Sequence, residues 1–140
     1  MNGKQHNQKE TVRRVIEEAF NKGSYGVLSE VFNPDFAENQ FGLHPTIEGM
    51  KADIQSLRKS FPDFNLTIED IVEDGDEVWV RSTARGTNLG GIMGPPNGKA
   101  FKIAVFDTLR FKEGKIVEHW GSPDRFHMMA QLGLLPQPQK

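Results

Sequence analysis

The segment Phe101–Phe111, FKIAVFDTLRF, alternates so strictly that it fits an extended strand and little else. Period two puts Phe101, Ile103, Val105, Asp107, Leu109 and Phe111 on one face, and Lys102, Ala104, Phe106, Thr108 and Arg110 on the other. The following Lys112-Glu113-Gly114-Lys115 predicts a hairpin with Glu113-Gly114 as its two loop residues, because Gly adopts φ > 0 without strain. In an unbroken register Phe111 faces Ile116, Leu109 faces Glu118 and Asp107 faces Trp120. Asp107, Glu118 and Trp120 then share the face that buries Leu109 and Phe111. Carboxylates are seldom buried unless paired or functional, so two acids and an indole on an apolar wall describe a pocket better than a core. The plainer alternative has Asp107 bonding a loop backbone and Glu118 lying at a wet sheet edge.

A chain of 140 residues is long enough for one self-sufficient domain, expected to span 1–140 with residues 1–8 disordered. It has no cysteine, which excludes disulfides and thiolate metal sites. Lys and Arg number 17 against 19 acids, without a basic stripe, so no nucleic-acid partner is expected. The polar start, MNGKQHNQKE, and a longest purely apolar run of only Ile103–Phe106 give no signal peptide or membrane span. The expected location is cytoplasmic.

Val12, Val15, Ile16, Ala19 and Phe20 recur at helical spacing, and Gly23 is a natural stop. A short helix over about Tyr25–Phe32 ends at Asn33-Pro34-Asp35, and Phe36–Phe41 reads as a short strand. Met50, Ile54, Leu57 and Phe61 mark a third helix starting near Glu48 and terminated by Pro62. From Asn65 the period changes to two, interrupted at Asp70-Ile71, and Glu73–Asp76 is a turn signal before a strand over Glu77–Thr87. That strand's inward set is either Val78, Val80, Ser82 and Ala84 or Trp79, Arg81, Thr83 and Arg85, since a one-residue slip exchanges them. Arg85–Lys99 is a long Gly/Pro-rich connection, of the kind that forms a functional lid or is disordered. Its GPPNGKA lacks the spacing, hydroxyl residue and following helix of a phosphate loop. Pro123–Leu132 predicts a last short helix. Helices segregated from an antiparallel sheet make an α+β fold, here a strongly curved antiparallel sheet whose mouth is closed by helices around the Asp107 face.

His6, His44, His119 and His127 form no metal-binding spacing, and no metal is expected. In the unbroken register His119 points away from Asp107 and is an outer-face residue. Arg81 can pair with Asp70 or reach a ligand carboxylate or carbonyl. Phe36, Phe61 and Trp79 are expected in the core or the pocket wall.

FPDFNLTIEDIVEDGDEVWVRSTARGTNLG, GPPNGK, RFKEGKIVEHWGSPD and QLGLLP, spread over Phe61–Pro136, together resemble the SnoaL-like polyketide cyclase (ester cyclase) family of the nuclear-transport-factor-2-like superfamily. The resemblance implies a cone-shaped α+β fold with one deep pocket. It also implies intramolecular aldol ring closure without cofactor, and a catalytic aspartate just after the last strand, here Asp124. Asp107, Arg110 and Phe111 match an Asp-x-x-Arg-Phe run of the superfamily's ketosteroid isomerases, where the aspartate stays protonated and donates to an oxyanion; Trp120 matches an aromatic at the end of their last strand. The chain departs from many relatives in having no histidine within Ala37-Glu38-Asn39-Gln40.

The expected function is that of a small cofactor-independent enzyme that binds an apolar carbonyl compound and catalyses cyclisation or isomerisation. Asp124 would be the base and Asp107 the oxyanion donor, with Trp120, Glu118, Trp79, Arg81, Phe61 and Phe36 around the substrate. The alternatives are a non-catalytic ligand-binding or dimerisation module and an epoxide-hydrolase-like hydrolysis in which carboxylates share a water. A homodimer is expected, paired through an outer hairpin face carrying Phe106, Val117, Thr108 and His119.

Overall fold

In a computed structural model, which describes residues 7–136, the first helix opens as α1 (Gln8–Arg14) and runs on as a π-helical segment (Val15–Phe20). Its apolar stripe, Val12, Val15, Ile16 and Ala19, is buried. Gly23, at φ 71°, closes it by donating its N–H to the carbonyl of Ala19. The expected disordered start lies mostly outside the described residues, but its last member does not fray. Gln8 is buried and its amide donates to Glu73 and to the Gly75 carbonyl.

α2 (Gly26–Val31) leads directly into β1 (Phe32–Glu38). Asn33-Pro34-Asp35 follows the helix as expected but lies inside a strand, which starts at Phe32 and ends before the expected Phe41. Asn33 Oδ1 accepts from the Asp35 N–H at 2.8 Å, making a local kink where the register is irregular. Pro34 is tolerated because β1 is a sheet edge. α3 (Ile47–Ser60) is capped by Thr46, whose hydroxyl accepts from Gly49 N–H, and buries Met50 and Ile54. Then follow β2 (Asn65–Asp74), β3 (Glu77–Thr87), β4 (Ala100–Lys112), β5 (Lys115–Pro123) and α4 (Arg125–Gln131).

The strands form one open sheet in the order β1-β5-β4-β3-β2. It is mixed: β1 lies parallel to β5, and the other neighbours are antiparallel. The antiparallel expectation holds for β2 to β5 and fails at β1, whose return beside β5 is a long-range pairing. The broken alternation at Asp70 is a bulge in β2, between the pairs Ile68–Ser82 and Asp70–Arg81. On β3 the inward set is Val78, Val80, Ser82 and Ala84, all buried, which leaves Trp79 and Arg81 outside. The Arg85–Lys99 connection is pinned down. Asn88, fully buried, bonds the Gly90 N–H and the Pro95 carbonyl, and Ser60 Oγ accepts from Ile92 N–H at 2.9 Å.

Glu113 and Gly114 both take positive φ, 53° and 80°, so the β4–β5 turn is the two-residue hairpin expected. The register beyond it is not. Phe111 pairs with Ile116, but Arg110 pairs with Glu118, so Val117 is an extra residue on β5. This bulge inverts the facing of every later β5 residue relative to β4. Leu109 faces His119, Thr108 faces Trp120 and Asp107 faces Gly121. His119 therefore turns inward, and Glu118 and Trp120 turn outward, the reverse of the unbroken register.

Candidate active site

Three neighbouring strands each contribute one ionisable side chain to the inner face. Glu38, the last residue of β1, is the register partner of His119 on β5, and Asp107 on β4 lies one diagonal step away. His119 Nδ1 lies 2.7 Å from Glu38 Oε2, and its Nε2 lies 2.7 Å from Asp107 Oδ1. The Glu38 side chain is 2% exposed, His119 13% and Asp107 19%. Two carboxylates this deep require a cation between them. Burial opposes the imidazolium, but the hydrogen bonds and charges of Asp107 and Glu38 outweigh it and raise the His119 pKa from 6.5 to about 9. A ring protonated on both nitrogens donates once to each carboxylate. Glu38 Oε2 also accepts the Gln40 N–H at 2.9 Å. Asp107 Oδ2 has no hydrogen-bond partner among the described residues.

These side chains border a cavity of about 410 Å³ between the sheet and the helices. Its walls are mainly apolar, with Val12, Ile16 and Phe20 from the first helix, Met50 and Ile54 from α3, and Leu109 from β4. That volume and lining suit a small apolar molecule gripped at one polar end. A larger depression, about 760 Å³, lies on the outer face, and Asp107 borders both. The buried ion array and its shifted histidine face the inner cavity.

Gly121, opposite Asp107, matters for the space it leaves. A Cβ there would stand 2.7 Å from Asp107 Oδ1 and would overlap the side-chain amide of Gln40.

Of the expected site residues, only Asp107 borders the inner cavity. The Asp124 carboxylate is half-exposed and serves as the N-cap of α4, accepting from His127 N–H at 3.2 Å. Glu118 is held by Arg110 at 2.8 Å on the outer face, in a solvated network with Glu77 and Asp76. Trp120, Trp79 and Arg81 line the outer depression. Arg81 is opposite Asp70 in register, with no ion pair between them among the described residues. Phe36 packs edge-on to Phe32 and Phe61 edge-on to Phe101, with ring centres 5.0 Å apart in each pair, so both belong to the core. Sequence reasoning missed Glu38, Gln40 and the inward His119. The available signal was an acid in a segment already noticed for lacking a histidine, together with a histidine one bulge away from the Asp107 face.

A family model for SnoaL-like polyketide cyclases matches residues 10–132. The aklanonic acid methyl ester cyclase DauD of Streptomyces sp. (strain C5) is 29% identical over 134 residues, covering 90% of this chain and 81% of that protein. Among solved structures, IdmH of Streptomyces antibioticus is 37% identical with a TM-score of 0.78, covering 89% of this chain and 96% of that one. TsrD of Streptomyces laurentii superposes with a TM-score of 0.83 at 26% identity, covering 96% and 98%. With its mixed α+β sheet, its mainly apolar cavity and a match across nearly the whole chain, this protein belongs to the SnoaL-like polyketide cyclase family.

Proposed function

We propose that the chain is an aldol cyclase in which Asp107 exchanges the proton, His119 holds Asp107 ionised and aimed, and Glu38 holds His119. The carrying observation is the Glu38–His119–Asp107 array at the wall of a mainly apolar cavity, with Asp107 Oδ2 lacking a hydrogen-bond partner among the described residues. In the reaction Asp107 takes a proton from a carbon between carbonyls, that carbon bonds to a second carbonyl carbon of the same molecule, and the proton returns to the new alkoxide. Atoms and electrons are conserved, so the step needs no redox partner. A carboxylate bonded to an imidazolium is a weak base, which restricts it to acidic C–H groups. This points to 1,3-dicarbonyl substrates such as polyketide esters, and the aklanonic acid methyl ester named for DauD is the first to try.

This reading gives Asp107 a different part from the protonated oxyanion donor suggested by the isomerase likeness, because the proton rests on a ring whose pKa is about 9. It leaves Asp124 as a helix cap. Hydrolysis through a water shared by two carboxylates is disfavoured, since an imidazole occupies the space between Glu38 and Asp107.

The test is deuterium exchange in D2O at the central carbon of a 1,3-dicarbonyl ester, alongside ring closure of aklanonic acid methyl ester. Wild type should catalyse both and Asp107→Asn neither; exchange at equal rates in the two proteins would sink the assignment.

We further propose a homodimer through the outer sheet face. Val72, Trp79, Phe106 and Trp120 lie there, each 38–54% exposed, more apolar surface than a solvated sheet face requires. This face differs from the one expected: the β5 bulge removes His119 from it and adds Trp120, and the facing of β3 adds Trp79. No helix among the described residues is long and apolar enough to cross a membrane.

A further inference from the structure

We infer that Gln40 is the substrate's hydrogen-bond donor in this cavity, holding the carbonyl oxygen on which charge develops while Asp107 takes the proton; this rests on the reading of Asp107 as base. An enolate forming in an apolar cavity needs an N–H or O–H directed at its oxygen. The obvious donor, His119, has none to spare, because both ring nitrogens are bonded to carboxylates. A carboxylate is an acceptor only, so neither Asp107 nor Glu38 supplies the donor.

Gln40 borders the cavity, and its side-chain amide lies beside Asp107. A Cβ on residue 121 would crowd both Gln40 Oε1 and Asp107 Oδ1, so amide and carboxylate share the space above Gly121. No group among the described residues accepts from Gln40 Nε2. The backbone is nonetheless fixed. Gln40 N–H donates to Glu38 Oε2 at 2.9 Å, and the Gln40 carbonyl accepts from Leu43 N–H at 3.3 Å. Glu38 thus anchors the imidazole that aims the base and the residue that presents the donor, which sets the two groups in a constant relation. Arg125 and Ser56 also border the cavity, from α4 and α3, and the Arg125 guanidinium lies by Gly42, whereas the Gln40 amide shares the space above Gly121 with Asp107 itself. Gly121 completes the arrangement, since any side chain there would evict the amide.

The test uses two probes of nearly the same shape, 2-naphthol, whose oxygen stands for the enol oxygen, and naphthalene, which has none. Fluorescence titration of wild type should give tighter binding of 2-naphthol. Gln40→Leu keeps the volume and removes the donor, and should weaken 2-naphthol about fivefold to tenfold while changing naphthalene less than twofold. Gly121→Ala should reproduce that pattern by displacing the amide. Gln40→Leu binding both probes as wild type does, or losing both equally, would overturn the donor role. So would a wild type that does not distinguish them. Such results would leave Asp107 as base intact, because that is read separately by deuterium exchange in Asp107→Asn. Failure of wild type to bind either probe would remove the cavity reading, and this inference with it.

Discussion

His119 Nε2 and Asp107 Oδ1 meet at 2.7 Å on the cavity side of β4 and β5, and the ring's other nitrogen is equally close to Glu38. This makes stability depend on pH. The folded pKa of His119, about 9, lies above its ordinary 6.5, so the folded state binds the proton more tightly than the unfolded chain does. The stabilisation is fully present below pH 6.5 and is lost as pH rises through about 9. At about 1.4 kcal/mol per pKa unit the array contributes at most roughly 3–4 kcal/mol. Thermal melts should show Tm falling between pH 6.5 and 9 in wild type. His119→Gln should flatten that part of the curve; an unchanged slope would show that the ring titrates elsewhere.

Asp107 and Glu38 should separate by kinetics. Asp107→Asn removes the base and should lower kcat by about 10²–10⁴, the usual range for a general base. Glu38→Gln leaves Asp107 in place but removes one of the two charges that hold the proton on His119. Its alkaline limb of kcat/KM should move to lower pH with KM little changed. Equal losses and superimposable pH profiles for the two variants would contradict the division of roles.

Asp124 caps a seven-residue helix from a half-exposed position. Asp124→Ala should cost about 1 kcal/mol of stability, the usual value of an N-cap, seen as a lower Tm. Asp124→Asn, which preserves a capping side chain, should keep kcat within about twofold of wild type. Abolition of turnover by Asp124→Asn would instead restore to it the role of base.

The outer face predicts association. Light scattering at micromolar concentration should return twice the chain mass of 15.8 kDa. Trp79→Glu, placing a charge among Val72, Thr108 and Trp120, should yield the single-chain mass without loss of fold by circular dichroism. A wild type already at 15.8 kDa would end the dimer proposal.

Sequence alone determined the features whose causes are local. The alternation of Phe101–Phe111 and the φ > 0 tolerance of Gly114 specified β4 and its hairpin. The spacing of Met50 and Ile54 specified α3, and the segregation of helices from strands specified the α+β class. Asp107 on an apolar face was legible for the same reason. The rest of the site depends on parity and on distant pairing. One extra residue at Val117 exchanged the two faces of β5, bringing His119 in and sending Glu118 and Trp120 out. No local pattern announces such a bulge, because its position is set by how the twisted strands pack. Glu38 entered only because β1 folds back parallel to β5, a contact between residues 81 positions apart. A buried carboxylate is stable there only once the imidazolium is beside it, so the site exists as a product of tertiary structure and of no single segment.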